Sequence, residues 1–301
     1  MEYTREIKKG MSGNDVFYIK NKLFDLGMYA PKIKKISSKT FRSDSVLATK
    51  NFQTKYHLDV TGTVNEVTWD KIEEESKPEP TPTPPTNLLD EYTWLDPKKR
   101  EAIEKDLVKV SELRRNICLE ILKYAYDPTY RKGDVRALYM WGGNLYNTDL
   151  KLNIATKAKI EAGAKKYPQH YDEGRKEWML AQVEKNPNLP ASDCSGMEVG
   201  YLRKFKLVKN SFDANANRLS SKSYSTQVSK AEAIPGTFAH KDGHIGTYVG
   251  GGYVVEFVGG AYGCQLSARD KRKVWNFIDK RIHTMSDWTD YWNFKEIAKY
   301  D

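Results

Sequence analysis

The chain has 301 residues, with 49 Lys and Arg against 40 Asp and Glu, a net charge of +9. This length points to two domains. The basic residues are scattered among acids with no arginine-rich run, which argues against nucleic acid and leaves anionic lipid, an acidic polymer or ordinary solvated lysine faces as readings of the charge. Three cysteines without CxxC spacing argue against a disulfide framework or a structural zinc site, and no apolar run is long enough to span a membrane.

The N-terminal MEYTREIKKG is charged and lacks the apolar core of a signal peptide. The protein is therefore expected to be made in the cytoplasm and to act there or leave by a route other than general secretion. Asn14 is read as the cap of a first helix carrying Val16, Ile19, Leu23 and Leu26 at helical spacing, with Gly27 ending it. Ser43 or Asp44 starts a second, with Val46, Leu47, Asn51, Phe52 and Gln53. Asn65 starts a third, with Thr68, Trp69 and Ile72. The Pro/Thr-rich stretch 77–87 then reads as a semi-rigid spacer, because its prolines lack amide donors and favour extended backbone. It divides a domain at 1–76 from one at 88–301. Gly10-x-x-Gly13-x-Asp15-Val16, Leu26-Gly27, Ala48-x-x-x-Phe52-Gln53 and Thr61-Gly62-x-Val64-x-x-x-Thr68 together resemble the small three-helix peptidoglycan-binding domain over about 5–75. That resemblance implies bacterial peptidoglycan as partner. The basic Lys32, Lys34 and Lys35 depart from its pattern.

Asp96-Pro97 is a helix start, and Ile103, Leu107, Val110, Ile117, Ile121 and Leu122 predict one long amphipathic helix with Cys118 buried in it. A charged, Lys-rich insert occupies 144–190, with helices expected around 153–165 and 172–185. A helix opening at Cys194 buries Met197, Tyr201, Leu202 and Phe205. Strands follow at about 236–240, 244–249 and 253–258, the last two joined through Gly250-Gly251-Gly252. Cys264 reads as a small core residue.

Cys194 is the candidate nucleophile. A helix start offers backbone N–H groups and a partial positive charge that favour a thiolate. His244 is the candidate base. The backbone of Asp193 and Ser195 is a candidate oxyanion-hole source. Strand alternation puts His244, Gly246 and Tyr248 on one face. An odd-length glycine loop returns Val254, Glu256 and Val258 to that face, which makes Glu256 the polar side chain of the returning strand that can approach His244. A carboxylate there favours imidazolium.

Tyr139-x-Trp141-Gly142-Gly143, Asp193-Cys194-Ser195-Gly196, Arg218-Leu219-Ser220, Gln227, Pro235-Gly236 and Gly243-His244-Ile245-Gly246 resemble, in order, the NlpC-type papain-like cell-wall cysteine peptidases over about 120–260, outside the insert. The resemblance implies an α+β papain-like domain with an antiparallel sheet, catalysis by Cys194 and His244, and no metal or organic cofactor. It also implies substrate binding around Tyr139, Trp141, Asp193 and Ser195, with a packed core role as the alternative for Tyr139. The family's third residue is usually His, Asn or Gln, where this chain has Glu256. The implied reaction is hydrolysis of a stem-peptide amide, between D-γ-glutamyl and the diamino acid. N-acetylmuramoyl-L-alanine amidase or cross-bridge endopeptidase activity is the alternative, and a non-catalytic wall-binding or phage-tail protein the rival of another class. A wall substrate without a signal peptide suggests a phage or prophage endolysin released through holin lesions. The insert is a lid or a peripheral elaboration.

Overall fold

In the computed structural model, residues 2–30, 33–76 and 88–301 are described. Lys32 and the proline-rich stretch 77–87 lie outside the described residues. The fold is α+β, and the chain divides into two compact units, Met1–Pro85 and Thr86–Asp301.

The first unit contains α1 (Asn14–Asp25), α2 (Ser43–Lys55) and α3 (Glu66–Glu75). The Asn65 side chain caps α3 by accepting from the Thr68 N–H at 2.9 Å. Asn14 is not a cap. Gly13 takes that position, and the Asn14 side chain instead accepts from Lys39 Nζ at 2.8 Å. The apolar stripes close on Ile7, Val16, Ile19, Phe52 and Trp69. Leu47, expected on the inner stripe, is 55% exposed. The buried Gln53 amide accepts from the Gly62 N–H at 2.8 Å and donates to Thr63 O at 2.9 Å and Thr68 Oγ1 at 3.1 Å. Burial of an amide requires such partners, and Gly62 supplies its N–H from a φ of +76° that favours glycine. This is a physical reason for Gln53 and Thr61-Gly62 to occur together.

In the second unit, the expected single helix over 97–122 is two: α4 (Pro97–Leu107) and α5 (Glu112–Leu122). Ser111, a residue type that favours helix starts, adopts extended cap backbone and resets the chain direction. The Asp106 side chain in the last turn of α4 accepts the Gly251 N–H at 2.8 Å, tying that end to the sheet. Next come β1 (Leu138–Tyr139), α6 (Lys157–Lys166), a 3-10 turn at Pro168–His170, α7 (Arg175–Lys185), β2 (Ala191–Ser192), α8 (Cys194–Lys204) and α9 (Ala216–Leu219). Eight strands and a last helical turn complete the unit: β3 (Ser225–Val228), β4 (Phe238–Lys241), β5 (His244–Gly250), β6 (Tyr253–Val258), β7 (Gly263–Ala268), β8 (Lys273–Asn276), β9 (Arg281–Thr284), β10 (Asp290–Phe294) and α10 (Lys295–Ala298).

The main sheet is antiparallel in the order β3-β10-β4-β5-β6-β7. Helix α8 packs on β5 and β6, and α4 on β5. Ile117, Ile121, Met197, Tyr201, Ile245 and Phe257 belong to the core between these layers. Burial pushes the thiol of Cys118 up to about 12 and that of Cys264 well above its usual value, so both stay protonated. The insert leaves and returns through the parallel pair β1–β2, Leu138 opposite Ala191 and Tyr139 opposite Ser192. It has a small core of its own, in which Ile160, Tyr171 and Met179 cluster with Phe277. No helix among the described residues is long and apolar enough to cross a membrane.

Candidate active site

The site begins with the helix that carries Cys194. Gly196 and Gly200, one turn apart, let another stretch of backbone lie against α8. A Cβ at Gly200 would come within 2.7 Å of Tyr146 N, and one at Gly196 would overlap the Gly143 carbonyl. That approach allows the Leu145 N–H to donate to Gly196 O at 2.9 Å. Asp193 closes the arrangement. Its carboxylate caps α8 by accepting from the Gly196 N–H at 2.7 Å, and its other oxygen accepts from the Gly142 N–H at 2.8 Å. The last glycine of the DCSG motif and the two of WGG thus meet at one junction.

This junction corrects the expected oxyanion hole. The Asp193 N–H is already donated to Gly143 O at 2.8 Å. The first-turn donors left for a ligand are those of Cys194 and Ser195, which a helix start leaves without intrahelical acceptors.

Cys194 is 9% exposed, and its Sγ lies 4.0 Å from Gly243 O, at the turn that leads into His244. Burial pushes this thiol up to about 12, and Asp193 and Glu198 add to the rise. The N–H groups of Ser195 and Ile245 pull the other way and are outweighed. Burial thus opposes the thiolate that the helix start favours.

His244 opens β5. Gly246 faces β6 on the same side, where a Cβ would come within 3.0 Å of Glu256 Cβ. The register pairs Tyr248 with Val254 and Thr247 with Val255, which carries Glu256 under His244. His244 Nε2 and Glu256 Oε2 are 2.7 Å apart. With a carboxylate on Nε2, that nitrogen holds the proton and Nδ1 is left as the basic atom. Glu256 is fully buried. Burial opposes its ionisation, but His244 and Arg272 outweigh that and hold the carboxyl down to about 2.

Several neighbours were not identified from the sequence. Arg272 and Ser267 both donate to Glu256. Trp288 stacks on His244, with centroids 5.4 Å apart and planes 7° apart, while the Arg272 guanidinium lies 4.1 Å from the Trp288 centroid. Asn217 accepts the Gly243 N–H at 2.8 Å and faces His240 Nε2 at 3.0 Å, which steadies the turn before His244. Arg272 lies in a charged run and Trp288 in a loop, so no periodic pattern marks either. Asn217 sits beside the Arg218-Leu219-Ser220 motif, which was the available signal.

Tyr139, Trp141, Asp193, Cys194 and Ser195 line one cleft of about 360 Å³, together with Asn217 and Gly243. Tyr139 is 9% exposed, and burial pushes its phenol up so that it stays protonated; Trp141 is 47% exposed. The cleft thus gathers the Cys194 thiol and the first-turn N–H donors, with Gly243 in its wall leading into His244, whose tautomer Glu256 fixes. Among the described residues no cluster of His, Cys, Asp and Glu could hold a metal ion. Comparison with protein-family models, with curated proteins and with solved structures gives no match to this chain.

Proposed function

We propose that the unit Thr86–Asp301 is a cysteine amide hydrolase of the papain-like, NlpC type, acting on the stem peptide of peptidoglycan. One observation carries this reading: the Cys194 thiol at the head of α8 abuts the turn into His244, whose outer nitrogen is bound by Glu256. As Sγ attacks the amide carbonyl, its proton passes to His244 Nδ1. The new oxyanion meets the N–H groups of Cys194 and Ser195. Glu256 balances the imidazolium formed in that step. The imidazolium then protonates the departing amine, leaving a thioester. Water attacks the thioester, giving its proton to Nδ1, and releases the acid and the thiol.

The scissile bond we propose is that between D-γ-glutamyl and the diamino acid. The unit Met1–Pro85 serves as the wall-binding module, and the whole acts as an endolysin. The motif order and the glycine junction at Gly143, Gly196 and Gly200 support this assignment. The test is digestion of purified sacculi with mass spectrometry of the fragments. Lysis should be lost in Cys194→Ala and after thiol alkylation, while wall binding persists. New free amines should appear on the diamino acid. Undiminished lysis by Cys194→Ala would falsify the thiol mechanism, and fragments cut elsewhere would reassign the bond.

A further inference from the structure

A second cavity, of about 530 Å³, shares Tyr139 and Trp141 with the catalytic cleft. Its other walls come from outside the motifs. The insert provides His170, Glu173 and Arg175, and the segment around β8–β9 provides Asn276, Asp279 and His283. The insert therefore reaches the edge of the catalytic cleft.

The charged groups of this cavity are already bonded to partners within its own walls. Arg175 pairs with Glu173 at 2.7 Å and with Asp172 at 3.4 Å, and His283 Nε2 lies 2.7 Å from Asp279. A free anion would displace a carboxylate from Arg175, and a free cation would compete with Arg175 for its carboxylates or with the His283 N–H for Asp279. What remains is neutral hydrogen-bonding capacity. Asn276 Oδ1 accepts the N–H groups of Ile278 and Asp279 at 2.8 and 3.2 Å, which leaves its amide NH₂ uncommitted among the described residues. The Tyr262 hydroxyl lies 3.0 Å from His283 Nδ1. Asp279 fixes the His283 proton on Nε2, so Tyr262 donates to Nδ1 and keeps an oxygen lone pair for a ligand.

Beside these groups stands an aromatic wall. His170 stacks on Trp141 with centroids 4.0 Å and planes 11° apart, yet Trp141 remains 47% exposed. Neutral donors and acceptors next to open aromatic faces suit a molecule with hydroxyls on its rim and C–H groups on its face. The electron-rich ring face attracts such C–H groups, and planar amide and phenol groups bind the hydroxyls.

We infer that this cavity is a pyranose subsite, which takes an N-acetylhexosamine of the substrate beside the peptide amide held at Cys194. The choice of sugar rests on the peptidoglycan reading, since that polymer carries its peptides on an aminosugar chain. The enzyme then prefers stems still attached to glycan over the same peptide released from it.

The experiment uses the full chain. The Cys194→Ala protein is titrated calorimetrically with tri-N-acetylchitotriose, alone and with His170→Ala plus Asn276→Ala, or with Tyr262→Phe. The trisaccharide should bind, and each added change should weaken it about tenfold or more, the equivalent of one or two hydrogen bonds. Thermal midpoints show that the variants are folded, and Tyr262→Phe removes only a hydroxyl. With Cys194 intact, the ratio of kcat/KM for a disaccharide-bearing stem peptide over the bare peptide should exceed tenfold and fall toward one in the same variants. Absence of trisaccharide binding, or binding and ratio unchanged in the variants, overturns the subsite. If neither peptide is cleaved, the hydrolase reading fails while the titration still decides the cavity.

Discussion

Arg272 and Ser267 hold the Glu256 carboxylate together with His244, and both the arginine and the carboxylate are buried. A paired charge in that position is silent until one partner is removed. Glu256→Gln keeps a hydrogen-bonding amide but leaves Arg272 without its counter-ion, which should cost about 3–5 kcal/mol in stability. The imidazolium formed during attack also loses its balancing charge, so kcat/KM should fall by about 10²-fold. Denaturant titration and kcat/KM of the parent and Glu256→Gln check both parts; a variant matching the parent in both makes Glu256 a bystander. The sign also constrains acid stability. A carboxyl depressed to about 2 in the fold contributes stability above the usual carboxylate range, and that stability is lost as pH falls toward 2.

Helix α8 is buried on nearly every side, so it carries a carboxyl into the core as well as the Cys194 thiol to the cleft. Glu198 Oε1 accepts from Thr247 Oγ1 at 2.9 Å, while Oε2 has no partner among the described residues. Burial pushes this carboxyl well above its usual value, so the fold holds it protonated. A raised carboxyl leaves stability intact below the usual carboxylate range and drains it as pH rises from there through the folded value. Glu198→Gln does not titrate, so its melting temperature relative to the parent should climb from pH 4 to pH 8; a constant difference means that Glu198 is ionised in the fold. Such features explain what could be read from the sequence. The cap at Asn65 and the alternation across β5 and β6 act through near neighbours, so local pattern was enough to pair His244 with Glu256 in space. Ser111 breaks a helix that apolar spacing alone runs through. Strand β10 enters between β3 and β4 from the end of the chain, and Arg272 and Trp288 reach His244 from segments without periodicity. Glu198 lies at helical spacing from Cys194, but nothing in its neighbours shows that the helix is enclosed.

The division into Met1–Pro85 and Thr86–Asp301 gives the molecule two separately packed cores. A chain beginning at Leu88 should therefore fold and keep its turnover on soluble muropeptide. On sacculi it should lose about 10²-fold in efficiency, the scale on which tethering raises local concentration. Equal efficiency of the short and full chains on sacculi would show that the first unit does not target the wall. The pairing of β1 with β2 adds a consequence for how such a molecule can diversify. Tyr139 and Ser192 sit side by side although the whole insert runs between them, and Met140 N–H donates to Ser192 O at 2.9 Å across the same neck. The insert is thus a closed excursion whose length hardly strains its anchor points, since loop closure grows costlier only slowly with length. Its underside packs on Phe277, so it can be exchanged for another segment with an apolar underside more readily than deleted. Because the neck lies next to Asp193, a new excursion would arrive at the edge of the cleft while leaving the thiol, its cap and its histidine in place. Substrate range could then drift through cassette replacement without any change to the reacting atoms.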